Sequence, residues 1–593
     1  MDSVNSFKGY GKVDEAQNLA LKKKTRKRLI LLIVSGVILV AVIIAAVVAT
    51  VVHKKKNDSS ESTTPTSPSE LSPSTSLKAI CSATRFPESC FNSISKLPSS
   101  NTTDPEILFK LSLKVIIDEL DSISDLPEKL SKDTDDERIK SALRVCGNLI
   151  EDALDRLNDT VSAMDAFDDD DDGKKRTLNS SRIEDLKTWL SATVTDHETC
   201  FDSIDELAQN KTEYADSTIT KNLKSAMSGS TEFTSNSLAI VSKILAALSN
   251  LGIPIHGRRR LLNHQPSGDF PEWARRRLLQ TENLKPDVTV AADGSGDVKT
   301  VNEAVARVPK KSLKVFAIYV KAGTYVENVV MDKGKWNVMI YGDGKAKTII
   351  SGSKNFIDGT PTYETATFAI QGKGFIMKDI GIINTAGATK HQAVAFRSGS
   401  DFSVYYRCSF DGFQDTLYPH SNRQFYRDCD VTGTIDFIFG SAAVVFQGCK
   451  IMPRQPLPNQ FNTITAQGKK DPNQNSGMSI QRCSIAANGN VTAPTYLGRP
   501  WKEFSTTVIM ETEIGPVVRA SGWMSWVSGV DPPASIVYGE YKNTGPGSDV
   551  SLRVKWAGYK PVMSEMDAAK FTVATLLRGG DWIPATGVTH QLS

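Results

Sequence analysis

Asp415 and Asp436 stand 21 residues apart in two short segments of similar texture, Gly412-Phe413-Gln414-Asp415-Thr416-Leu417 and Thr434-Ile435-Asp436-Phe437-Ile438-Phe439-Gly440. Cys408 and Cys429 each precede one of these aspartates by seven residues, so the cysteines share the 21-residue separation. A period of about 20 to 25 residues among short β-rich runs points to the stacked coils of a parallel β-helix. Neighbouring coils lie about 4.8 Å apart, which brings residues at matching positions side by side. Two carboxyls held that close resist ionising together, and their pKa values are driven apart. One can stay charged as a nucleophile while the other keeps a proton to donate. Gln392, 22 residues before Gln414, extends the ladder by one coil and adds amide donors beside the acids.

The coils that position these side chains belong to the C-terminal half. After Lys285 the chain reads as short β-rich runs, such as Phe316 to Val320, Val338 to Tyr341, Thr348 to Ile350 and Ala366 to Ile370, punctuated by Gly, Asn and Asp. Helical periodicity survives at Val301 to Val308, where it could cap the first coil, and at Met566 to Leu577 near the end. Solenoids need such caps to stop edge pairing. From Gln280 onward 33 Lys and Arg face 27 Asp and Glu, an excess of 6 against +3 for the whole chain. That excess favours loose attraction to a polyanion. Nucleic acid would be the usual partner of a basic domain, but no recognisable reader motif is present, and an acidic polysaccharide fits as well.

At 593 residues the chain exceeds one ordinary core. Residues 1–28 form a basic tail, and Leu29 to Val52 is a run of 24 uncharged residues, long enough to span a hydrocarbon core of about 30 Å. A cleavable signal peptide would have an apolar core of only about 7 to 15 residues. Lys22, Lys23, Lys24, Arg26, Lys27 and Arg28 outnumber Lys54, Lys55 and Lys56, so the N-terminus should be cytosolic and the rest lumenal. Sequons at Asn57, Asn101, Asn158, Asn179, Asn210 and Asn490 then become glycosylation candidates. Eight cysteines suit an oxidising compartment.

Residues 53–76 are a linker rich in Ser, Thr and Pro. Between 77 and 251 the pattern is helical, as in Leu143, Cys146, Ile150, Leu154, Leu157, Val161 and Met164, with similar runs at Ile107 to Leu120, Ile183 to Ile204 and Leu223 to Leu248. Four such helices form an antiparallel bundle. The acidic run Asp168 to Asp172 lacks the alternating ligand spacing of a calcium loop and reads as a solvated connection. In the linker 252–284, Arg258-Arg259-Arg260-Leu261-Leu262 and Arg275-Arg276-Arg277-Leu278-Leu279 offer a duplicated protease site ending at Leu262 or Leu279. No Gly-x-Ser-x-Gly elbow anchors a Ser-His-Asp triad, despite His391 beside Gln392, and no His or Cys cluster has metal-ligand spacing. No metal or cofactor is therefore expected.

Residues 285–593 resemble the plant pectin methylesterases, or pectinesterases, through five motifs in the family's order: GTYVEN at 323–328, QAVAFR at 392–397, GFQDTLY at 412–418, DFIFG at 436–440 and LGRPW at 497–501. Residues 77–251 resemble the inhibitor-like domain found as a pro-region of such enzymes, through ICSATRFPESC at 80–90 and the later Cys146 and Cys200. The resemblance implies a right-handed parallel β-helix preceded by a four-helix-bundle pro-domain and an N-terminal transmembrane helix. It implies hydrolysis of methyl-esterified galacturonate in pectin, releasing methanol, with Asp436 as nucleophile and Asp415 as general acid and then base. Gln414 and Gln392 would stabilise the oxyanion, and Arg499 would pair with Asp436 to keep it charged and aimed. Thr362, Gln392, Arg499 and Trp501 would contact the sugar chain, with Tyr418, Phe413, Phe439 and Trp523 as further candidates for the groove walls. Glu327 reads as one half of a structural ion pair.

By the same resemblance Cys429 bonds Cys449, leaving Cys408 and Cys483 free, and Cys81 pairs with Cys90 and Cys146 with Cys200. Spacing alone decides none of these pairings. The expected partners are pectin, a processing protease and inhibitor proteins of the same family, with a membrane engaged through the N-terminal helix before processing. Two other readings compete. One is a different polygalacturonate-active β-helix, a lyase or glycosidase, although Gln beside the acids suits an ester oxyanion. The other is an inhibitory or wall-binding protein in which the bundle covers the β-helix.

Overall fold

The computed structural model describes residues 72–165, 180–208, 218–247 and 285–593. Leu29–Val52, nearly all of the linker before residue 72, the acidic run Asp168–Asp172, Leu262, Leu279, Asn57, Asn179 and Asn210 lie outside the described residues. Among the described residues no helix is long and apolar enough to cross a membrane.

Helices come first: α1 (Pro73–Ser82), α2 (Pro87–Ile94), α3 (Pro105–Ser122), α4 (Leu126–Lys132), α5 (Glu137–Asp165), α6 (Ser180–Ala208) and α7 (Thr218–Ala239), which continues as a π-helical turn over Ile240–Leu245. The start of α3 is set locally, with Pro105 in the first turn and the Asp104 carboxylate accepting from the Glu106 and Ile107 amides. In α5 the three-and-four spacing becomes a buried stripe of Leu143, Cys146, Ile150, Leu157 and Met164. A disulfide joins Cys146 to Cys200, and Arg156 meets Asp196 at 3.2 Å. Each step forward along α5 thus matches a step back along α6, so the two helices are antiparallel. A second disulfide joins Cys81 to Cys90.

From Val288 on, three parallel sheets of eleven, seven and eight strands wrap one interior, the architecture of a right-handed parallel β-helix. Strands stack in register: Phe396 lies opposite Leu417, Leu417 opposite Ile438, and Ser409 opposite Asp430. Inside, like side chains pile on like, as in Tyr405, Tyr426 and Phe446, with ring centroids 4.4 and 4.7 Å apart. The chain leaves the eleven-stranded sheet through a left-handed residue on rung after rung, at Arg407 (φ 55°), Asp428 (φ 53°), Gly448 (φ 67°), Arg482 (φ 49°) and Glu511 (φ 51°). The residues that follow are Cys408, Cys429, Cys449, Cys483 and Thr512.

This turn corrects the expected Cys429–Cys449 bond: both are free thiols, as are Cys408 and Cys483. The amide of Cys429 donates to Sγ of Cys449 (3.4 Å), that of Cys449 to Sγ of Cys483 (3.3 Å), that of Cys483 to Oγ1 of Thr512 (3.2 Å), and that of Thr512 to Oδ1 of Asn543 (3.0 Å). The Cys449 and Cys483 sulfurs are thus acceptors for a buried turn N–H one rung earlier. Stacked rungs also sit about 4.8 Å apart, wider than the Cβ separation of about 3.8 Å that a disulfide prefers.

The helix α8 (Val301–Ala306) buries Val301, Ala304 and Val305 in the core at the first coil. Thr300 and Glu303 form a reciprocal cap at its start. Among the described residues Glu327 forms no ion pair: its carboxylate accepts from the Val301 amide (2.7 Å) and the Asn302 amide (3.0 Å), at the N-terminal end of this helix, where negative charge is favoured. At the other terminus, Val573, Leu577, Trp582 and Ile583 cover the outer face of the eleven-stranded sheet against Met339, Val404, Phe425 and Val445. That segment therefore shields a flank of the solenoid instead of closing its last coil.

Thiol counting on the unfolded, unreduced protein should find four free thiols, with none reactive while the chain is folded. A count of two would mean that Cys429 and Cys449 are bonded.

Candidate active site

Asp415 and Asp436 both adopt left-handed backbone, with φ of 62° and 50°. Asp tolerates this region better than most residues, so each marks a turn into the seven-stranded sheet as well as carrying a carboxyl. The Asp415 amide donates to the Ile435 carbonyl at 3.0 Å and the Leu417 amide to the Phe437 carbonyl at 2.9 Å, which fixes the two turns one rung apart. Both carboxyls line one cavity of about 360 Å³, together with Thr362, Gln392, Gln414, Tyr418, Phe439, Arg499 and Trp501. The residues expected to act together are therefore brought together.

Asp436 is held from two sides. Arg499 grips its carboxylate in a fork, Nε to Oδ1 at 2.8 Å and Nη2 to Oδ2 at 2.5 Å. Thr463, from the next rung, donates its hydroxyl to Oδ1 at 2.6 Å and accepts from the Asp436 amide at 2.8 Å. Among the described residues Asp415 has no such cation fork. Burial, with the neighbouring Asp436 and Glu206 charges adding to it and Arg499 opposing, holds its carboxyl well above the ordinary 3.8. The site thus contains one carboxyl forked by a guanidinium and one, without such a fork, that favours its proton.

Several local choices make room for this arrangement. Gly440, which ends DFIFG, has φ of 135°, and a Cβ there would come within 2.3 Å of the Pro419 carbonyl. A Cβ on Gly468 would press on the Trp501 ring at 2.9 Å. Tyr418 and Phe439 stack at 4.1 Å and form one wall. Two groove candidates lie elsewhere. Phe413 sits beneath Arg454 (4.2 Å), and Trp523 is core, its indole N–H bonded to Glu540 at 3.2 Å. Besides Tyr418, Phe439 and Trp501, two aromatic side chains that were not expected there reach the cavity: Tyr363, and Trp526, stacked on Trp501 at 6.3 Å and under Arg499 at 4.2 Å. Spacing gave no way to prefer one tryptophan of Trp-Met-Ser-Trp over the other. Thr463 was equally silent, lying 27 residues after Asp436 where a longer loop breaks the period.

The helical bundle supplies the rest of the wall. Thr199, Asp202, Ser203, Asp205 and Glu206 of α6 line the same cavity. Glu206 accepts from the Thr362 amide at 3.1 Å, and burial lifts its carboxyl to about 7. Lys502 binds Asp202 and lies 3.5 Å from Glu198. Thr199 also meets His420 at 2.9 Å, and away from the cavity Trp189 donates to Asp401 at 3.0 Å and Asp185 pairs with Arg423 at 2.6 Å.

Fold and site together define a parallel β-helix with two carboxyls side by side in its cleft and a helical bundle seated over them. A family model described as Pectinesterase matches residues 287–580, and one described as Plant invertase/pectin methylesterase inhibitor matches residues 75–240. Pectinesterase 1 of Arabidopsis thaliana is 87% identical over 595 residues, covering 100% of both chains. Pectinesterase 3 of Phaseolus vulgaris is 59% identical over 595 residues, covering 99% of each. Among solved structures, pectin methylesterase from carrot shares 50% identity with a TM-score of 0.51, covering 52% of this chain and 98% of its own. The chain belongs to the pectinesterase family, as a carboxylic ester hydrolase with an inhibitor-like region ahead of the enzyme domain.

Two measurements follow from this geometry. Trp523→Ala should cost about 3–5 kcal/mol of stability by emptying core volume, whereas Trp526→Ala should leave unfolding nearly unchanged and raise KM; the reverse pattern would exchange their roles. Asp415 binds its proton more readily folded than unfolded, so its ionisation lowers stability as pH rises from 3.8 through its raised folded value. Asp415→Asn should therefore have a higher Tm than the wild type at pH 7, with the gap closing towards pH 3.8. A lower Tm for the variant at neutral pH would contradict this account.

Proposed function

We propose that this protein hydrolyses methyl esters of galacturonate units in pectin through Asp436 as nucleophile and Asp415 as proton carrier. The observation that supports these roles best is the unequal treatment of two adjacent carboxyls, one forked by Arg499 and the other buried without a cation clamp. Asp436 attacks the ester carbonyl carbon, and a tetrahedral oxyanion forms within reach of the Gln414 and Gln392 amides. Neutral Asp415 gives its proton to the departing methoxy oxygen, so methanol leaves and an acyl anhydride with Asp436 remains. Asp415, now a carboxylate, takes a proton from water as that water attacks the acyl carbon. The free uronate departs, Asp436 is restored as a carboxylate, and Asp415 is again protonated. Trp501, Trp526 and Thr362 flank the path of the sugar chain.

The bundle restrains the enzyme in this reading. α6 places five side chains in the cavity that the ester must enter, which supports occlusion by the chain's own N-terminal region. Cutting after Leu262 or Leu279, in the basic linker, would free the enzyme domain. The 24 uncharged residues from Leu29 to Val52 would hold the precursor in the secretory membrane, and the processed enzyme would act in the cell wall. Exposed Asn101, Asn158 and Asn490 are accessible for glycosylation on that route.

Asp436→Asn should lower methanol release from methylated pectin by on the order of 10³-fold or more without loss of fold. Depolymerisation without methanol would favour a lyase or glycosidase. Cutting in the linker and separating the bundle should raise turnover by about tenfold or more; an uncut chain as active as the separated enzyme would refute restraint.

A further inference from the structure

Lys502 directly follows Trp501, which lines the cavity that contains the two aspartates, and holds its ammonium 5.0 Å from that ring, bonded to Asp202 of the same cavity wall. Among the described residues its ion-pair partners are Asp202 and Glu198, both from α6. The β-helix therefore carries at its cleft a cation, only 16% exposed, whose counter-charges are lent by the bundle. Once the bundle is gone, a half-enclosed ammonium faces the groove without a partner, and a carboxylate is the group that best restores it.

The lending side has its own order. Glu198, Asp202 and Glu206 recur every fourth residue, so one carboxylate follows another at about 6 Å along one face of α6. The last of them reaches the Thr362 amide and bears on Asp415, while the first two hold Lys502. A line of carboxylates thus runs from Lys502 to the reacting pair. A partly de-esterified uronate polymer laid in the same groove also presents carboxylates in a line.

We propose that Lys502 is a specificity residue that binds a free uronate carboxylate near the ester being hydrolysed, and that α6 closes the groove by putting its own carboxylates where those of the polymer belong. The proposal rests on the esterase reading given above. It makes the product of one turnover a ligand for the next, so esters with a free acid nearby are preferred over isolated stretches of full methylation.

The test uses the enzyme cut in the linker and freed of its bundle. That region can stand alone, since the carrot relative matches 52% of this chain with 98% of its own. Wild type, Lys502→Gln and Lys502→Arg are compared on half-methylated and on nearly fully methylated pectin at equal ester concentration, with fully de-esterified oligogalacturonate as competitor. Lys502→Gln should lose about tenfold in kcat/KM on half-methylated pectin, mainly through KM, with a much smaller loss on the fully methylated polymer. Its inhibition constant for oligogalacturonate should rise by a similar factor, and Lys502→Arg should restore most of both. Equal losses on the two pectins, or an unchanged inhibition constant in a variant with wild-type unfolding, would overturn the proposal. The competitor binds without chemistry, so its response judges Lys502 even if Asp436→Asn were to retain turnover and the esterase roles failed.

Discussion

In-register stacking of parallel rungs is the constraint on which the rest of this structure depends. A solenoid coil has no freedom to choose its neighbours: whatever stands at one position meets its equivalents above and below at about 4.8 Å. The fold spends that rule on two different ladders. At the exit from the eleven-stranded sheet it lines up cysteines, of which Cys449 and Cys483 accept on sulfur a buried amide from the neighbouring rung, in a series that ends on Thr512 and Asn543. At the entry to the seven-stranded sheet it lines up Asp415 and Asp436, where the same closeness places two carboxyls that repel one another. A left-handed residue opens both turns, so the backbone solution is shared and only the side chains differ.

Stacking alone would leave the aspartates equivalent. What separates them is reach from further along the chain: Arg499 and Thr463 both select Asp436, and nothing comparable reaches Asp415. The division of labour therefore comes from rungs beyond the pair, which explains why a site made of adjacent coils depends on residues 27 and 63 positions downstream. Glu206 then adds a third carboxyl from outside the β-helix. Its position favours the protonated form of Asp415 while the bundle is in place.

The parts of this arrangement that were legible in the sequence are those governed by period. The 21-residue repeat announced the coils, the facing aspartates and the stack of cysteines, and the three-and-four spacing of Leu143 to Met164 announced the longest bundle helices. What escaped was set by loops and by contacts between distant segments. Trp523 and Trp526 differ only in that one enters a strand-bridging turn and meets Glu540, while the other lies on a loop over Arg499. Of the pairings taken from family pattern, Cys81–Cys90 and Cys146–Cys200 are present, and Cys429–Cys449 is not, because a thiol can satisfy a turn amide, a role invisible in spacing. Glu327 looked like an ion-pair partner because its helix-capping contact lies 25 and 26 residues away. Nothing in the α6 sequence alone indicated that its acidic stripe would face a cleft.

The chemistry of the surface between bundle and β-helix fits a cover meant to be removed. Its named contacts are charged or polar: Asp185 with Arg423, Trp189 with Asp401, Ser235 with Asp471, Ser191 with Gln474, and Asp152 with Gln371. Arg423 and Asp401 also bond to one another, at 2.9 and 2.7 Å, so when Asp185 leaves the arginine keeps a partner and no lone charge is stranded. An apolar surface of the same extent would expose a patch prone to association on release. Polar pairs instead trade their partners for water at small net free energy, the behaviour expected of interfaces that come apart. Two half-buried lysines depart from this pattern: among the described residues Lys333 pairs with Glu151, Asp152 and Asp155, and Lys502 at the cleft with Glu198 and Asp202, so each loses its carboxylates when the bundle leaves.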